Sequence, residues 1–176
     1  MALIGWPKTI DWTVFGAPLA AVPSSYGGSH TDCHIEIAFD YSWHGTRRVR
    51  PGGDYQLSDV KVIVKIDHLD TWVLAGVAKA VNQARVLKHE QGHYNIAGIT
   101  ARDVDRALSA LRNADSSALE AEASSVADAI IAAGQAEEDT YDDDSANGGT
   151  DHGNDFTQQA TWNSQIAAAK SLAGLP

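Results

Sequence analysis

One stretch constrains this chain more than any other: Val86-Leu87-Lys88-His89-Glu90-Gln91-Gly92-His93-Tyr94, which contains His-Glu-x-x-His. On a helix, residues four apart share a face. His89 and His93 would then present two imidazoles side by side, enough for two corners of a tetrahedral zinc site. Glu90 lies just beside them, within reach of a metal-bound water without being a ligand itself. That is the arrangement a metallohydrolase needs. Ala84, Val86 and Leu87 before the motif, and Ile96, Ala97 and Ile99 after it, give the flanks of a buried helix. The competing reading is a solvated helix that happens to carry two histidines.

Composition narrows the classes around that motif. A chain of 176 residues with 44% hydrophobic and 20% charged residues is expected to form one domain over residues 1–176 with a core of ordinary size. The net charge of −10 argues against nucleic acid and against anionic membrane surfaces. No apolar run approaches the roughly 18 residues of a membrane span. The N-terminus has no basic segment followed by an apolar stretch, so no signal peptide is visible; this fits an intracellular chain or a mature form numbered from an added Met1. A single cysteine, Cys33, excludes an internal disulfide and a Cys-rich zinc site, and its place at the head of an alternating stretch suggests a buried structural thiol.

The first half reads as strands. Ile10, Trp12 and Val14 alternate with polar residues, as do Cys33, Ile35, Ile37 and Phe39, and again Val62, Val64 and Ile66. Turn-rich joints separate them, Pro23–Ser29 and Pro51–Asp54, which favours a small, mainly antiparallel sheet. The second half reads as helices. A long apolar-periodic segment from about Thr71 to Leu111 carries the motif, as one helix or broken near Gly76. Ser117 with Glu120 has the form of a capping box for a second helix, which keeps its spacing to about Gly134. The acidic run Glu137–Asp144 reads as a solvated turn leading into a Gly-rich loop, and it lacks the position pattern of a calcium-binding loop. Asp155 with Gln158 opens a last helix with Trp162, Ile166, Ala169 and Ala173 as its stripe. Strands first and helices after give an α+β fold, with the sheet packed on the helix that bears the motif.

Two histidines do not complete a catalytic zinc site, which usually takes three protein ligands and leaves a position for water. His30, His34 and His44 fall in turns or on the wet face of a strand, and His68 directly follows a strand. His152 has the best setting: it lies in a Gly-rich loop just before the last helix, where Gly148, Gly149 and Gly153 let the backbone approach an ion. Glu137, Glu138, Asp151 and Asp155 are the carboxylate alternatives, and the residues alone leave this choice open.

Thr71-Trp72-Val73, His89-Glu90-Gln91-Gly92-His93-Tyr94-Asn95-Ile96, Tyr141-Asp142, Thr150-Asp151-His152-Gly153, Gln159 and Trp162-Asn163 together resemble the bacterial DUF922 family, whose members are described as predicted secreted zinc-dependent proteases. The resemblance runs from Trp12 onward and is strongest at HEQGH and T-x-H-G; HEQGH alone would indicate only a zincin. It implies zinc held by His89, His93 and His152, Glu90 as general base, a peptide or protein substrate, and a secreted or periplasmic location. The Gly149–His152 string is also similar to the Gly-Thr-x-Asp string of aspzincins, with His at the ligand position. Members often carry an acid where this chain has Asn95, which would remove a partner from a zinc-bound histidine.

On this reading Glu90 accepts a proton as water attacks a peptide carbonyl and passes it to the leaving amine. Tyr141 is a candidate second donor to the oxyanion, an extended peptide could pair with an edge strand, and Tyr94, Trp72 and Trp162 are expected to pack. Two alternatives remain: a non-catalytic zinc-binding or structural domain, and a zinc amidase acting on cell-wall peptides. Glu90 discriminates against the first, because a purely structural site has no use for it. Oligomeric state and substrate are not legible.

Overall fold

The computed structural model describes residues 2–26, 33–77, 83–143 and 145–171, and it has the α+β organisation expected. Among the described residues the strands are short: β1 (Ala2–Ile4), β2 (Cys33–His34), β3 (Ile37–Ser42), β4 (Thr46–Arg48), β5 (Tyr55–Leu57), β6 (Lys61–Ile66) and β7 (Trp72–Val73). Three helices follow, α1 (Gln83–Ala110), α2 (Ser116–Asp142) and α3 (Phe156–Ser171). The main sheet has the order β1-β6-β3, with β6 parallel to β1 and antiparallel to β3, and β3 forms one edge. β2–β7 and β4–β5 are separate antiparallel pairs.

The alternation around Val62 and Val64 behaves as expected: both are buried while Lys61 and Lys65 are exposed. These valines join Ala101, Val104 and Leu108 of α1 and Leu119, Ala123 and Ala127 of α2 in one core. Each fully buried Leu or Val adds roughly 1.5–3 kcal/mol from removal of apolar surface from water. The core therefore fixes α1 between the sheet and α2, with His-Glu-x-x-His in its first three turns.

Several expected elements differ. Ile10–Val14 is not a strand. Asp11 accepts hydrogen bonds from Thr13 N and Thr13 Oγ1 and caps a 3₁₀ turn, Trp12–Phe15, and Gly16 at φ 66° ends it. Val14 and Phe15 are both buried, which a turn allows and an alternating strand does not. The segment expected as helix from Thr71 begins instead with β7, paired to β2 at Cys33–Val73 and His34–Trp72; helix starts only at Gln83. Residues 78–82, His30, Asp144 and Ala173 lie outside the described residues. At α2 the cap is Asp115, whose carboxylate accepts from Ala118 N, so Ser117 already lies inside the helix.

The largest difference is the end of α2. Gly134 does not stop the helix. It is buried in the helix interior because a Cβ there would stand 2.3 Å from Thr100 Oγ1 of α1. α2 continues through the acidic run to Asp142, so the solvated turn expected there is two further helical turns. Asp155 caps α3 as expected, accepting from Thr157 N and Gln158 N, and Trp162 and Ile166 are buried. Among the described residues no helix is long and apolar enough to cross a membrane.

Candidate metal centre

His89 and His93 do share a face of α1. Their Nε2 atoms are 3.2 Å apart with the rings edge to face. Below them lies Tyr141, fully buried, its ring stacked on His89 at 4.7 Å and 7° and set edge-on to His93 at 4.8 Å. Gly92 makes this possible, since a Cβ there would fall 2.0 Å from the Tyr141 hydroxyl. The hydroxyl donates to the His89 carbonyl and accepts from Gln159 Nε2 on α3. Burial raises its pKa well above the ordinary phenol value. The phenol expected to face a substrate is thus committed to the backbone of α1. The structure places Tyr141 as the floor of the site.

Each helix-borne imidazole has its second nitrogen held. Thr150, fully buried, donates its single hydroxyl proton to the Tyr141 carbonyl, 2.7 Å away. Its oxygen must therefore accept at its other contacts, from Gly153 N and from His89 Nδ1 at 3.2 Å. That puts the His89 ring proton on Nδ1 and leaves a lone pair on Nε2. His93 Nδ1 is bonded to Glu138 Oε2. With that nitrogen donating to a carboxylate, His93 Nε2 also turns a lone pair inward.

His152 and Asp142 complete the cluster. Asp142 Oδ1 is 3.0 Å from His89 Nε2, 2.8 Å from His93 Nε2 and 3.5 Å from His152 Nδ1. Donor atoms of His89, Asp142 and His152 all lie within 4.8 Å of one another. The backbone brings them together: the amides of Thr150, Asp151 and His152 bond the carbonyls of Tyr141, Asp143 and Asp142 and so satisfy the last carbonyls of α2. Asp151, His152 and Gly153 take φ of 49°, 46° and 77° in succession, a turn that for non-glycine residues costs about 1–2 kcal/mol each.

The donor set fits a divalent metal. Two imidazole lone pairs and a carboxylate oxygen point at one another across 2.8–3.2 Å, which is repulsive unless positive charge lies between them. A tetrahedron with ~2.0–2.1 Å metal–nitrogen bonds has an edge of about 3.3 Å, close to the observed separation. Protons compete for the same place. Burial works against charge on His93, but bonds to Asp142 and Glu138 outweigh it and hold its pKa well above the usual value. Burial likewise works against the Asp142 anion, and without a metal, protons on the facing nitrogens of His152 and His93 hold its carboxyl far below the usual range. Burial raises Glu138, opposed by His93.

Glu90 is buried next to this cluster and accepts from Cys33 Sγ at 2.9 Å. Cys33, expected as a buried structural thiol, therefore faces the site. A cleft of about 520 Å³ runs from His89, Glu90 and His93 along Cys33, Ile37 and Phe39. Asp151 lines the same cleft, with its side chain exposed, and the remaining candidates lie elsewhere. His68 Nδ1 meets the Val14 carbonyl, His34 packs against Tyr26 and Trp72 and contacts Glu36, His44 and Glu137 are exposed, and Asp155 caps α3. Asn95 contacts Trp6 Nε1 and Gln91 rather than a histidine, and Glu138 fills the role that an acid at 95 was expected to play. Tyr94, Trp72 and Trp162 are buried, as expected.

Asp142 and Cys33 were not among the candidate site residues, and Glu138, one of the carboxylate alternatives for the third ligand, holds His93 Nδ1 instead. The pairing Tyr141-Asp142 was visible, and an i, i+4 spacing from Glu138 to Asp142 was available once α2 is continued to its true end.

The chain belongs to the family described as bacterial protein of unknown function (DUF922), whose pattern it matches over residues 19–153. No curated protein and no solved structure matches the chain.

Proposed function

We propose that residues 1–176 form a single zincin-like domain that acts as a zinc-dependent peptidase. His89, His93 and His152 would hold the metal and Glu90 would serve as general base. The observation that carries this reading is the fixed tautomers: Thr150 and Glu138 leave two imidazole lone pairs converging on one point beside a buried glutamate. A bound zinc ion would supply Lewis acidity, lowering the pKa of water and polarising a carbonyl.

The remaining work falls to the chain. Glu90, held at Oε1 by Cys33, has its other oxygen to take the proton of an attacking water and return it to the leaving amine. Tyr141 and Gln159 keep the His89 turn of α1 in place. An extended peptide would add to β3, an edge strand among the described residues, with Ile37 and Phe39 lining its path to His89 and His93. That mode demands little of the peptide's sequence. An amidase acting on cell-wall peptides would use the same residues.

A second reading, a zinc site without turnover, is favoured by one observation: the Asp142 carboxylate crowds the same histidine nitrogens. The test is metal content by mass spectrometry on protein purified without added metal, followed by digestion of unstructured protein substrates with Glu90→Gln as control. Zinc near one per chain with Glu90-dependent cleavage supports the peptidase. Zinc with no cleavage of protein or cell-wall peptides supports the second reading. No zinc on purification or titration overturns both.

A further inference from the structure

Asp142 is the last residue of α2, and one of its carboxylate oxygens faces a nitrogen of all three site histidines. A catalytic zinc site ordinarily has three protein donors and one position kept for water. Here a fourth donor, anionic and only about one-third exposed, is already in place. It is not a drifting surface group. The amides of residues 150–152 tie the His152 loop to the carbonyls of residues 141–143, so Asp142 and His152 are carried by one bonded unit. Glu90 meanwhile is engaged by the Cys33 thiol.

We propose that Asp142 is a built-in latch: its carboxylate closes the fourth position of the three-histidine site and must be displaced before water or a substrate carbonyl can enter. This rests on the metal reading above and adds a regulation to it. The latched protein holds its metal more tightly and with less net positive charge. It is opened by a ligand that competes for the position, and the carboxylate, on a helix end, stays close enough to return. No bond to carbon is made or broken in this step; one donor exchanges for another.

The test uses cobalt(II) as a spectroscopic substitute, with the full chain and the variants Asp142→Asn and Asp142→Ala. The Asn variant keeps the shape if Ala disturbs folding, and circular dichroism monitors both. Cobalt affinity is measured by competition with a chromophoric chelator, and acetohydroxamate binding by the visible spectrum of the cobalt protein. If the latch is closed in about nine molecules in ten, its removal tightens hydroxamate binding about tenfold. Cobalt affinity should fall by about tenfold or more in the same variants. Unchanged affinity and unchanged hydroxamate binding overturn the latch and leave the metal reading intact. Affinity lost without a gain in hydroxamate binding also overturns it, because Asp142 would then orient the imidazoles rather than close the site. Failure of the wild type to take up cobalt removes the metal reading and the latch together.

Discussion

The site has two halves of unlike construction. His89 and His93 stand on a long helix fixed by the main core, their rings lie on Tyr141, and their outer nitrogens are held by Thr150 and Glu138. His152 stands on a turn of three left-handed residues, its side chain is half exposed, and it touches the cluster through Asp142 at 3.5 Å. The helix half arrives with tautomer and direction set. The loop half is tied by backbone amides and by the Thr150 hydroxyl, and its position depends on the end of α2. Preorganisation of this kind determines where the cost of ordering falls: before binding for the first half, during binding for the second.

That contrast can be broken experimentally, and the largest effect is expected at the helix. His89→Ala should lower zinc affinity by more than about a hundredfold, while His152→Ala should lose about ten- to a hundredfold; equal losses in chelator competition would erase the distinction. Glu90→Gln should keep its zinc, by mass spectrometry, while kcat/KM on a cleaved substrate falls by about 10²–10⁴. Thr150→Val removes the acceptor that sets the His89 tautomer and should weaken zinc about ten- to a hundredfold without unfolding the chain. Gly92→Ala would ordinarily strengthen a helix by up to about 1 kcal/mol. Against Tyr141 it should instead destabilise by about 1–3 kcal/mol, a fall in Tm of a few degrees by calorimetry.

The smallest effect lies on α1 away from both halves. Burial raises the Asp105 carboxyl, and its Oδ1 is buried without a hydrogen-bond partner among the described residues. A raised acid favours the protonated folded form, so its penalty is full above the folded pKa and fades as pH falls through it. Asp105→Asn should therefore stabilise by less than about 1 kcal/mol at neutral pH, with the gain vanishing in acid in urea titrations. A gain that persisted in acid would assign it to packing instead.

The helix half was legible in the residues because four-residue spacing is a local rule: His89, Glu90 and His93 report their geometry without reference to the rest of the chain. The other half needed contacts that spacing does not encode. Gly134 has the appearance of a helix stop, and only the approach of Thr100, 34 positions away, explains why it is not one. With the helix ended there, Glu138 and Asp142 fell into a turn and lost their common direction. Trp72 and Val73 likewise became strand through pairing with Cys33 and His34, a partnership across nearly forty residues. Tyr141 was found, but its buried role rests on the missing Cβ of Gly92.

The residues within and just after His-Glu-x-x-His have a consequence of their own. The Gln91 amide accepts from Ile10 N and donates to the Lys8 carbonyl, Tyr94 donates to the Gly5 carbonyl, and the Trp6 indole donates to Asn95. The back of α1 is thus held by residues 5–10, some eighty positions earlier in the chain. Replacing that segment would strip these bonds from the rear of the motif while leaving every proposed ligand untouched. Substitutions in residues 5–10 that lowered metal affinity would therefore report on the splint behind the helix rather than on the proposed ligands in front of it.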